Sequence, residues 1–284
     1  MLRLGWFSSG RDDASRKLLA TICRKKREGF LDIDIPFVFC DRSRDERGEG
    51  PEHQARQRFF DQVDELGIPL VARSSMGFRP DLSSDETAWR AEFGEEVLRS
   101  LSAYRFDLGV VADCAAIPGG PLLMQRPLIC IRPALPGGPA GSRQEVVWNL
   151  ISSRADRHGA TVQRYTAGDL PAPLAYCSFA IRGPKYNALW LGYDAKVAGR
   201  GEEWLRREEG ELEPLFSHIR HDEAQREGAL LAYFLKPLCD GKFHIKGERL
   251  FEGDRPFDRP LDLTRDVERA LQNGEFKEEA AHGL

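Results

Sequence analysis

The stretch CIRPALPGGPAG, residues 130–141, follows an apolar segment that is predicted to be a β-strand. Its glycines allow a tight turn and a close approach of the backbone to a ligand, and its prolines restrict the backbone around that turn. A rigid surface turn without a ligand could have the same composition. The stretch nevertheless favours a binding loop that begins where a strand ends.

Outward from this loop toward the N-terminus, short apolar segments alternate with segments of helical periodicity. The predicted strands span residues 2–7, 33–39, 68–71 and 106–112, with helices between them. The polar residues 41–57 are predicted to form mainly a loop. This order predicts an α/β fold with an open, doubly wound, mostly parallel sheet of the Rossmann type, in which ligands bind at the carboxyl ends of the strands.

Toward the C-terminus the pattern changes. A helix and then a pair of strands are predicted between residues 144 and 181. The last hundred residues contain segments of alternating acidic and basic side chains, a long helix, a small hairpin and a short terminal helix for which Thr264 is the expected N-cap. We therefore divide the chain into a domain of residues 1–185 and a small C-terminal extension of residues 186–284.

The composition argues against several classes of protein. The chain has 41 Lys and Arg against 45 Asp and Glu, and its net charge of −4 argues against a dedicated nucleic-acid-binding protein. No apolar run is long enough for a membrane helix, and no signal peptide is evident. The six cysteines are scattered without a Cys-x-x-Cys pair, which argues against a zinc or redox site and predicts reduced thiols in a cytoplasmic protein.

The loop at residues 130–141 is followed by three further segments, namely His158-Gly159-Ala160-Thr161-Val162, Thr166-Ala167-Gly168-Asp169 and Pro173-Leu174-Ala175-Tyr176-Cys177. In the order and spacing of these segments, residues 1–185 resemble the folate-dependent formyltransferases, specifically glycinamide ribonucleotide formyltransferase and its relatives. The resemblance implies a formyltransferase-like α/β fold. It also implies transfer of a formyl group from 10-formyltetrahydrofolate, as co-substrate, to a small-molecule amine acceptor, with no metal.

In that family an Asn, a His and an Asp surround the formyl group, and the resemblance places Cys130, Arg132 and Asp169 at their positions. The match of the Asp requires a gap of one residue, without which Leu170 stands there. The resemblance implies that Arg132 stabilises the oxyanion, that Asp169 holds Arg132 and a water molecule, and that Cys130 lines the pocket. An arginine keeps its proton near neutrality, so Arg132 cannot act as a general acid or base.

Alternatives for these residues remain open. An ion pair between Arg132 and Asp169 could serve only to lock the loop. Cys130 is either an inert, buried thiol or a nucleophile activated by the nearby Arg132.

The resemblance also assigns residues to the two ligands. The loop that faces the pterin corresponds to Ala112, Cys114, Ala115, Ala116 and Ile117, whose small side chains would leave a roomy pocket. A simple connection between a strand and a turn is the alternative for this segment. The residues expected to bind the acceptor are Gly10, Arg11, Ser15, Arg16, Gly137 and Gly138.

In the family, the loop before the first helix binds a phosphate at the N-terminus of that helix. In this sequence Asp12 and Asp13 stand where small neutral residues are usual. Their carboxylates suit a helix N-terminus but would repel a phosphate. We therefore expect the phosphate site to be weakened or lost, so the acceptor need not be glycinamide ribonucleotide.

The sequence leaves three functions open. They are formyl transfer to an amine, hydrolysis of the formyl-folate by water, and a catalytically degenerate homologue that acts as a binding or regulatory module. The replacements at Cys130 and Arg132 favour the module, whereas the intact Pro/Gly loop and Asp169 favour transfer. The partner of a module would be a second copy, as a homodimer, or an active paralogue.

Overall fold

The computed structural model describes residues 1–46, 48–114, 125–166 and 172–277. The strands found there are β1 (Leu2–Ser8), β2 (Ile33–Cys40), β3 (Leu70–Ala72), β4 (Leu108–Val111), β5 (Leu128–Arg132), β6 (Arg157–Arg164), β7 (Pro173–Ala180), β8 (Phe243–Lys246), β9 (Arg249–Glu252), β10 (Arg255–Pro256) and β11 (Leu261–Asp262). The α-helices are α1 (Asp13–Arg27), α2 (Pro51–Glu65), α3 (Glu86–Ser100), α4 (Arg143–Ser152), α5 (Asn187–Arg200), α6 (Glu202–Glu208), α7 (Pro214–Cys239) and α8 (Thr264–Gln272).

Eight strands form one sheet in the order β11-β7-β6-β5-β4-β1-β2-β3. The pairs β1–β2, β1–β4, β2–β3, β4–β5 and β7–β11 are parallel. β6 runs in the opposite direction to β5. Two contacts show this: Tyr165 N donates to Leu128 O, and Gln163, two residues earlier, contacts Cys130, two residues later. The structure thus confirms a mostly parallel sheet flanked by helices. The predicted hairpin is confirmed as β8 and β9, which join β10 in a small antiparallel sheet.

The chain divides into two compact units that interleave along the sequence. Unit 1 comprises Met1–Ile131, Val162–Leu174 and Phe234–Pro260, and unit 2 comprises Arg132–Thr161, Ala175–Tyr233 and Leu261–Leu284. The last hundred residues therefore contribute to both units. The division of the chain near residue 185 stays a prediction.

The core of unit 1 is rich in aromatic side chains. Phe7 on β1 contacts Phe37 on β2 with ring centroids 5.6 Å apart, and Phe106 lies 5.4 Å from Phe37. From α3, Phe93 and Val97 are fully buried in the same cluster, as the apolar stripe of that helix predicts. This packing fixes β1 and therefore the point at which the loop to α1 begins.

Unit 2 has a core of its own, in which α4, α5 and α7 take part. Trp148 on α4 packs against Phe216 on α7 with ring centroids 5.0 Å apart, and Trp190 on α5 is buried. Gly159 on β6 lies so close to β7 that a Cβ there would be 2.0 Å from the carbonyl oxygen of Cys177. Only glycine allows the two strands to approach in this way.

Two local expectations were wrong. Residues 51–57, expected within a polar loop, form the first turns of α2, because Pro51 stands at the first helical position, where a helix needs no donor. Thr264 is the first residue of α8 rather than its N-cap. Its hydroxyl instead accepts a hydrogen bond from Ser178 N, and Asp262 Oδ1 accepts one from Thr264 N.

Candidate active site

The loop between β1 and α1 depends on a glycine. Gly10 has a φ of +60°, and a Cβ there would lie 2.8 Å from the ring of Phe59. Its amide nitrogen donates to Ser8 Oγ at 3.1 Å, and Arg56 Nε donates to Ser9 O at 3.2 Å. Gly10, one of the expected binding residues, therefore shapes the turn, and its N–H group already has a hydrogen-bond acceptor.

Arg11 is held by Asp113, which follows β4. Nε and Nη2 of Arg11 lie 2.7 and 2.5 Å from the two carboxylate oxygens of Asp113, and this bidentate hydrogen bond raises the pKa of Arg11. Asp113 has a φ of +56°, a left-handed conformation that Asp adopts more readily than most residues. Its carboxylate neutralises the guanidinium that was expected to bind the acceptor.

The first turn of α1 is closed by its own side chains. Asp12 Oδ1 accepts a hydrogen bond from Ser15 N at 2.9 Å, and Ser15 Oγ donates to Asp12 O at 3.1 Å. Arg16 Nε donates to Asp13 Oδ1 at 3.2 Å. A carboxylate at this position satisfies both an N–H group and the helix dipole. A phosphate could bind to Ser15 N only by displacing Asp12.

In unit 2, Arg132 braces the loop that follows β5. Its Nη2 donates to Gly138 O at 3.0 Å and also to Pro139 O. Gly137 has a φ of +74°, and Gly138 N donates to Leu135 O at 2.8 Å, which closes a tight turn. The guanidinium of Arg132 therefore holds the backbone that Gly137 and Gly138 form.

Cys130 belongs to unit 1 and is half-buried on β5. Gln163 Nε2 donates to Cys130 Sγ at 3.6 Å. Tyr165, two residues further along the chain, packs with Cys130 against the aromatic core. Burial raises the pKa of Tyr165, although the guanidinium of Arg90 acts in the opposite direction, so the hydroxyl stays protonated at neutral pH.

Of the residues that the resemblance assigns to the pterin, Ala112 and Cys114 are described, and both are buried. Ala112 N donates to Phe7 O at 2.8 Å. Burial raises the pKa of Cys114 well above its usual value, so this thiol stays protonated. Four other residues assigned by the resemblance lie outside the described residues, namely Ala115, Ala116, Ile117 and Asp169.

Unit 2 contains a buried ionic cluster formed by His158, Arg143, Arg220, Glu223 and Glu227. Glu223 lies 3.0 Å from His158 Nε2 and accepts a hydrogen bond from Arg220 at 2.7 Å, while Arg143 donates to Glu227 at 2.6 Å. Burial raises the pKa of Glu227 to about 7 despite the opposing charge of Arg143. Burial also opposes ionisation of Glu223, but the hydrogen bond from His158 and the charges around it hold its pKa below the usual value.

The described ranges contain neither a candidate metal site nor a candidate membrane-spanning helix. No group of three or more His, Cys, Asp or Glu side chains there is arranged to hold a metal ion. None of the helices described is long and apolar enough to cross a membrane.

Comparison with known proteins identifies the fold. No protein-family model matches the sequence, and no curated protein matches it. Among solved structures, glycinamide ribonucleotide transformylase 1 from Symbiobacterium toebii is 20% identical and aligns over 92% of this chain and 95% of its own, with a TM-score of 0.58. The phosphoribosylglycinamide formyltransferase from Coxiella burnetii is 14% identical over 92% of this chain and 99% of its own, with a TM-score of 0.62. The chain has a formyltransferase-like fold.

A formyltetrahydrofolate deformylase from Pseudomonas syringae pv. tomato shares this formyltransferase-like fold. It is 16% identical over 88% of this chain and 65% of its own, with a TM-score of 0.56. Structures named for more than one activity therefore share the fold. The roles of individual residues in this chain stay predictions.

Within the formyltransferase-like fold, the expected binding residues Gly10, Arg11, Ser15 and Arg16 lie together in unit 1 at the start of α1. Sequence reasoning missed the residues that engage two of the assigned side chains. Asp113 is separated from Arg11 by 102 residues, so no local pattern connects them. Gln163 was within a predicted strand, but only the antiparallel pairing of that strand places it opposite Cys130.

Proposed function

We propose that the chain transfers a formyl group from 10-formyltetrahydrofolate to an amine that carries no phosphate at the N-terminus of α1. The observation that carries this proposal is the braced loop after β5, where Arg132 binds Gly138 O and Pro139 O. The resemblance assigns this loop to the reacting groups, and a fixed backbone is what positioning them requires. The names of the structures from Symbiobacterium toebii and Coxiella burnetii support the reaction class.

The charges at the start of α1 support an acceptor without a phosphate. Arg11 and Arg16 are both engaged by carboxylates, and Asp12 already caps the helix. An incoming phosphate would have to compete with that intramolecular cap and would be repelled by two carboxylates. A neutral or cationic group meets neither obstacle.

The described residues also fit the ring of a folate. Ala112 and Cys114 are buried at the end of β4, and the protonated Cys114 thiol brings no charge to that position.

Hydrolysis of the formyl-folate is a second candidate. It is favoured by the same cap at Asp12, because an acceptor water needs no anchoring site at the start of α1. The name of the Pseudomonas syringae structure, a formyltetrahydrofolate deformylase, is consistent with this reaction.

A binding module without turnover is a third candidate. It is favoured by the hydrogen bonds of Arg132 to two carbonyl oxygens, because a guanidinium used in that way contributes less to a developing oxyanion.

The cytoplasm is the compartment we propose for each of the three candidates, since none of the six cysteines, all of them described residues, forms a disulfide.

The deciding experiment combines binding with turnover. Calorimetric titration with a stable 10-formyltetrahydrofolate analogue should show binding to the wild type. Assays with 10-formyltetrahydrofolate and matched amines should then show faster formylation of amines without a phosphate. Asp169→Ala is expected to lower the rate by about a hundredfold while the analogue still binds, because a group that handles a proton contributes to the rate in this range. Asp156→Ala, at an exposed aspartate of unit 2, is the control.

Each other outcome has a definite meaning. Absence of analogue binding at saturating concentration contradicts all three candidates. Release of tetrahydrofolate without any amine supports hydrolysis. Binding without turnover over the whole panel of amines supports the module.

A further inference from the structure

Gln163 and Cys130 are cross-strand neighbours in unit 1. Tyr165 N donates to Leu128 O at 2.8 Å, so two steps along each of the antiparallel strands bring Gln163 opposite Cys130. Side chains that face each other across an antiparallel pair lie on the same side of the sheet. The hydrogen bond from Gln163 Nε2 to Cys130 Sγ, at 3.6 Å, agrees with this register.

The acceptor of that hydrogen bond is a weak one. A cysteine sulfur accepts hydrogen bonds poorly, so the bond orients the Gln163 amide without binding it strongly. Hydrogen bonds to an ionised oxygen are roughly twice as strong as bonds between neutral groups. The amide is therefore oriented but still available, and a developing oxyanion nearby would attract its N–H group away from the sulfur.

The Gln163 amide lies beside a position, Cys130, that has no amide of its own. The resemblance places an Asn there, whereas the side chain of Cys130 ends at Sγ and has no amide. Gln163 has a side chain one methylene longer than Asn, and its Nε2 reaches the end of the Cys130 side chain from the neighbouring strand. An amide donor is thus present beside position 130, although it belongs to a different strand.

The side chains around the Gln163 amide strengthen the hydrogen bonds that it can donate. Cys130 and Tyr165 both pack against the aromatic core of unit 1, and a less polar environment strengthens hydrogen bonds. Tyr165 is neutral at neutral pH, so its hydroxyl brings no negative charge that would oppose an oxyanion.

We infer that Gln163 is the catalytic residue whose side-chain amide donates a hydrogen bond to the oxyanion in the proposed formyl transfer, and this inference rests on the proposed function. The amine nitrogen forms a bond to the formyl carbon, the carbonyl electron pair moves to the oxygen, and Gln163 Nε2 donates to that oxygen. When the carbonyl forms again, the bond from the formyl carbon to the folate nitrogen breaks. The proton lost by the amine passes to that nitrogen, so the step needs no other reactant.

The first test removes the donor. Gln163→Leu is expected to lower kcat by a hundredfold to a thousandfold, which is the usual effect of losing one oxyanion donor, with little change in the KM for 10-formyltetrahydrofolate. Gln163→Glu should lose at least as much at neutral pH and recover part of its kcat as the pH falls, because a protonated carboxyl can donate again. A merely structural role for Gln163 would not produce that pH profile.

The second test restores the donor on the other strand. In the double variant Cys130→Asn with Gln163→Leu, the amide returns to position 130, and kcat should rise at least tenfold above that of Gln163→Leu alone. Gln57→Leu, at a half-buried glutamine of α2, is the matched control and should keep the wild-type kcat. Thermal unfolding of every variant checks that each one is folded.

The outcomes separate this inference from the proposed function. If the wild type releases no tetrahydrofolate with any amine, the proposed function fails and the inference fails with it. If the wild type is active and Gln163→Leu keeps its kcat within threefold, or Cys130→Asn restores nothing to Gln163→Leu, the proposed function stands and the inference alone is wrong.

Discussion

The loop at the start of α1 and the buried ionic cluster of unit 2 both contain arginine–carboxylate pairs, but they differ in their access to water. The side chains of Arg11 and Asp113 are 44% and 16% exposed, whereas those of Arg220 and Glu223 are 20% and 0% exposed. An exposed pair contributes roughly 0–1 kcal/mol to stability. Removing one partner of a buried pair costs about 3–5 kcal/mol, because the remaining charge is left without solvation.

The difference in exposure indicates that the two regions serve different purposes, ligand binding at α1 and stability of the fold in the buried ionic cluster. The pairs around α1 set the charge of a surface that a ligand would meet, and changing them should leave the fold intact. The buried ionic cluster is centred on Glu223 and Glu227, which are almost fully buried, and changing it should lower the free energy of unfolding. The predictions below test this contrast.

The largest effect is expected for Glu223→Ala. Its removal leaves His158 and Arg220 without their buried carboxylate, which should lower the free energy of unfolding by about 3–5 kcal/mol. Urea-induced unfolding followed by tryptophan fluorescence measures this change. Glu208→Ala removes an exposed carboxylate of unit 2 that is paired with Arg207 and should change the free energy by less than about 0.5 kcal/mol. Equal effects of the two substitutions would show that burial does not matter here.

An intermediate effect is expected from the titration of Glu227. Burial raises its pKa in the folded state to about 7, from an ordinary value of 4.5, so the folded state binds this proton more tightly than the unfolded state. The resulting stabilisation is present below pH 4.5 and is lost as the pH rises through about 7. Relative to Glu227→Gln, the wild type should therefore lose on the order of 2–3 kcal/mol over this interval.

Chemical unfolding of the wild type and Glu227→Gln at a series of pH values measures that difference. The free energy of unfolding of the wild type should fall relative to that of Glu227→Gln as the pH rises through the interval. A constant difference across the interval would mean that Glu227 is ionised throughout. Glu208→Gln serves as the exposed control and should show no such trend.

The smallest effect is expected for Asp12→Ala, which removes the cap of α1 and should cost about 1 kcal/mol. Asp85→Ala removes the equivalent cap of α3, where the Asp85 carboxylate accepts from Ala88 N, and should cost a similar amount. Asp12→Ser keeps a capping oxygen without the charge. Inorganic phosphate should raise the Tm of Asp12→Ser and leave that of the wild type unchanged; the same response in both proteins would contradict the acceptor proposed for this loop.

The central part of the fold could be predicted because its signals are local. β1 and β4 are buried on both faces and therefore appear as continuous apolar runs, and α3 carries its apolar stripe at helical spacing. The start of α2 was missed because charged residues on either side of Pro51 looked like a loop, although proline is common at the first helical position. Thr264 was misplaced because its hydroxyl accepts a hydrogen bond from Ser178 N, a long-range contact that no local pattern indicates.

The candidate site was less predictable because its contacts are long-range. The spacing of loops in the sequence indicates the fold, but the partner of Arg11 follows the distant strand β4 and the amide beside Cys130 comes from β6. The contacts of Arg132 are more local, with carbonyl oxygens six and seven residues away, yet the sequence predicted a carboxylate partner. Charge and spacing suggest which groups are near a site, whereas the contacts decide which of them are already engaged.

The brace at Arg132 also bears on how protons would move in the proposed formyl transfer. An arginine keeps its charge over the whole range of pH in which proteins fold, so the loop after β5 holds its shape regardless of acidity. An imidazole at the same place would change its hydrogen bonds each time it gained or lost a proton. In the proposed formyl transfer, a proton that leaves the acceptor would therefore travel through water or another side chain.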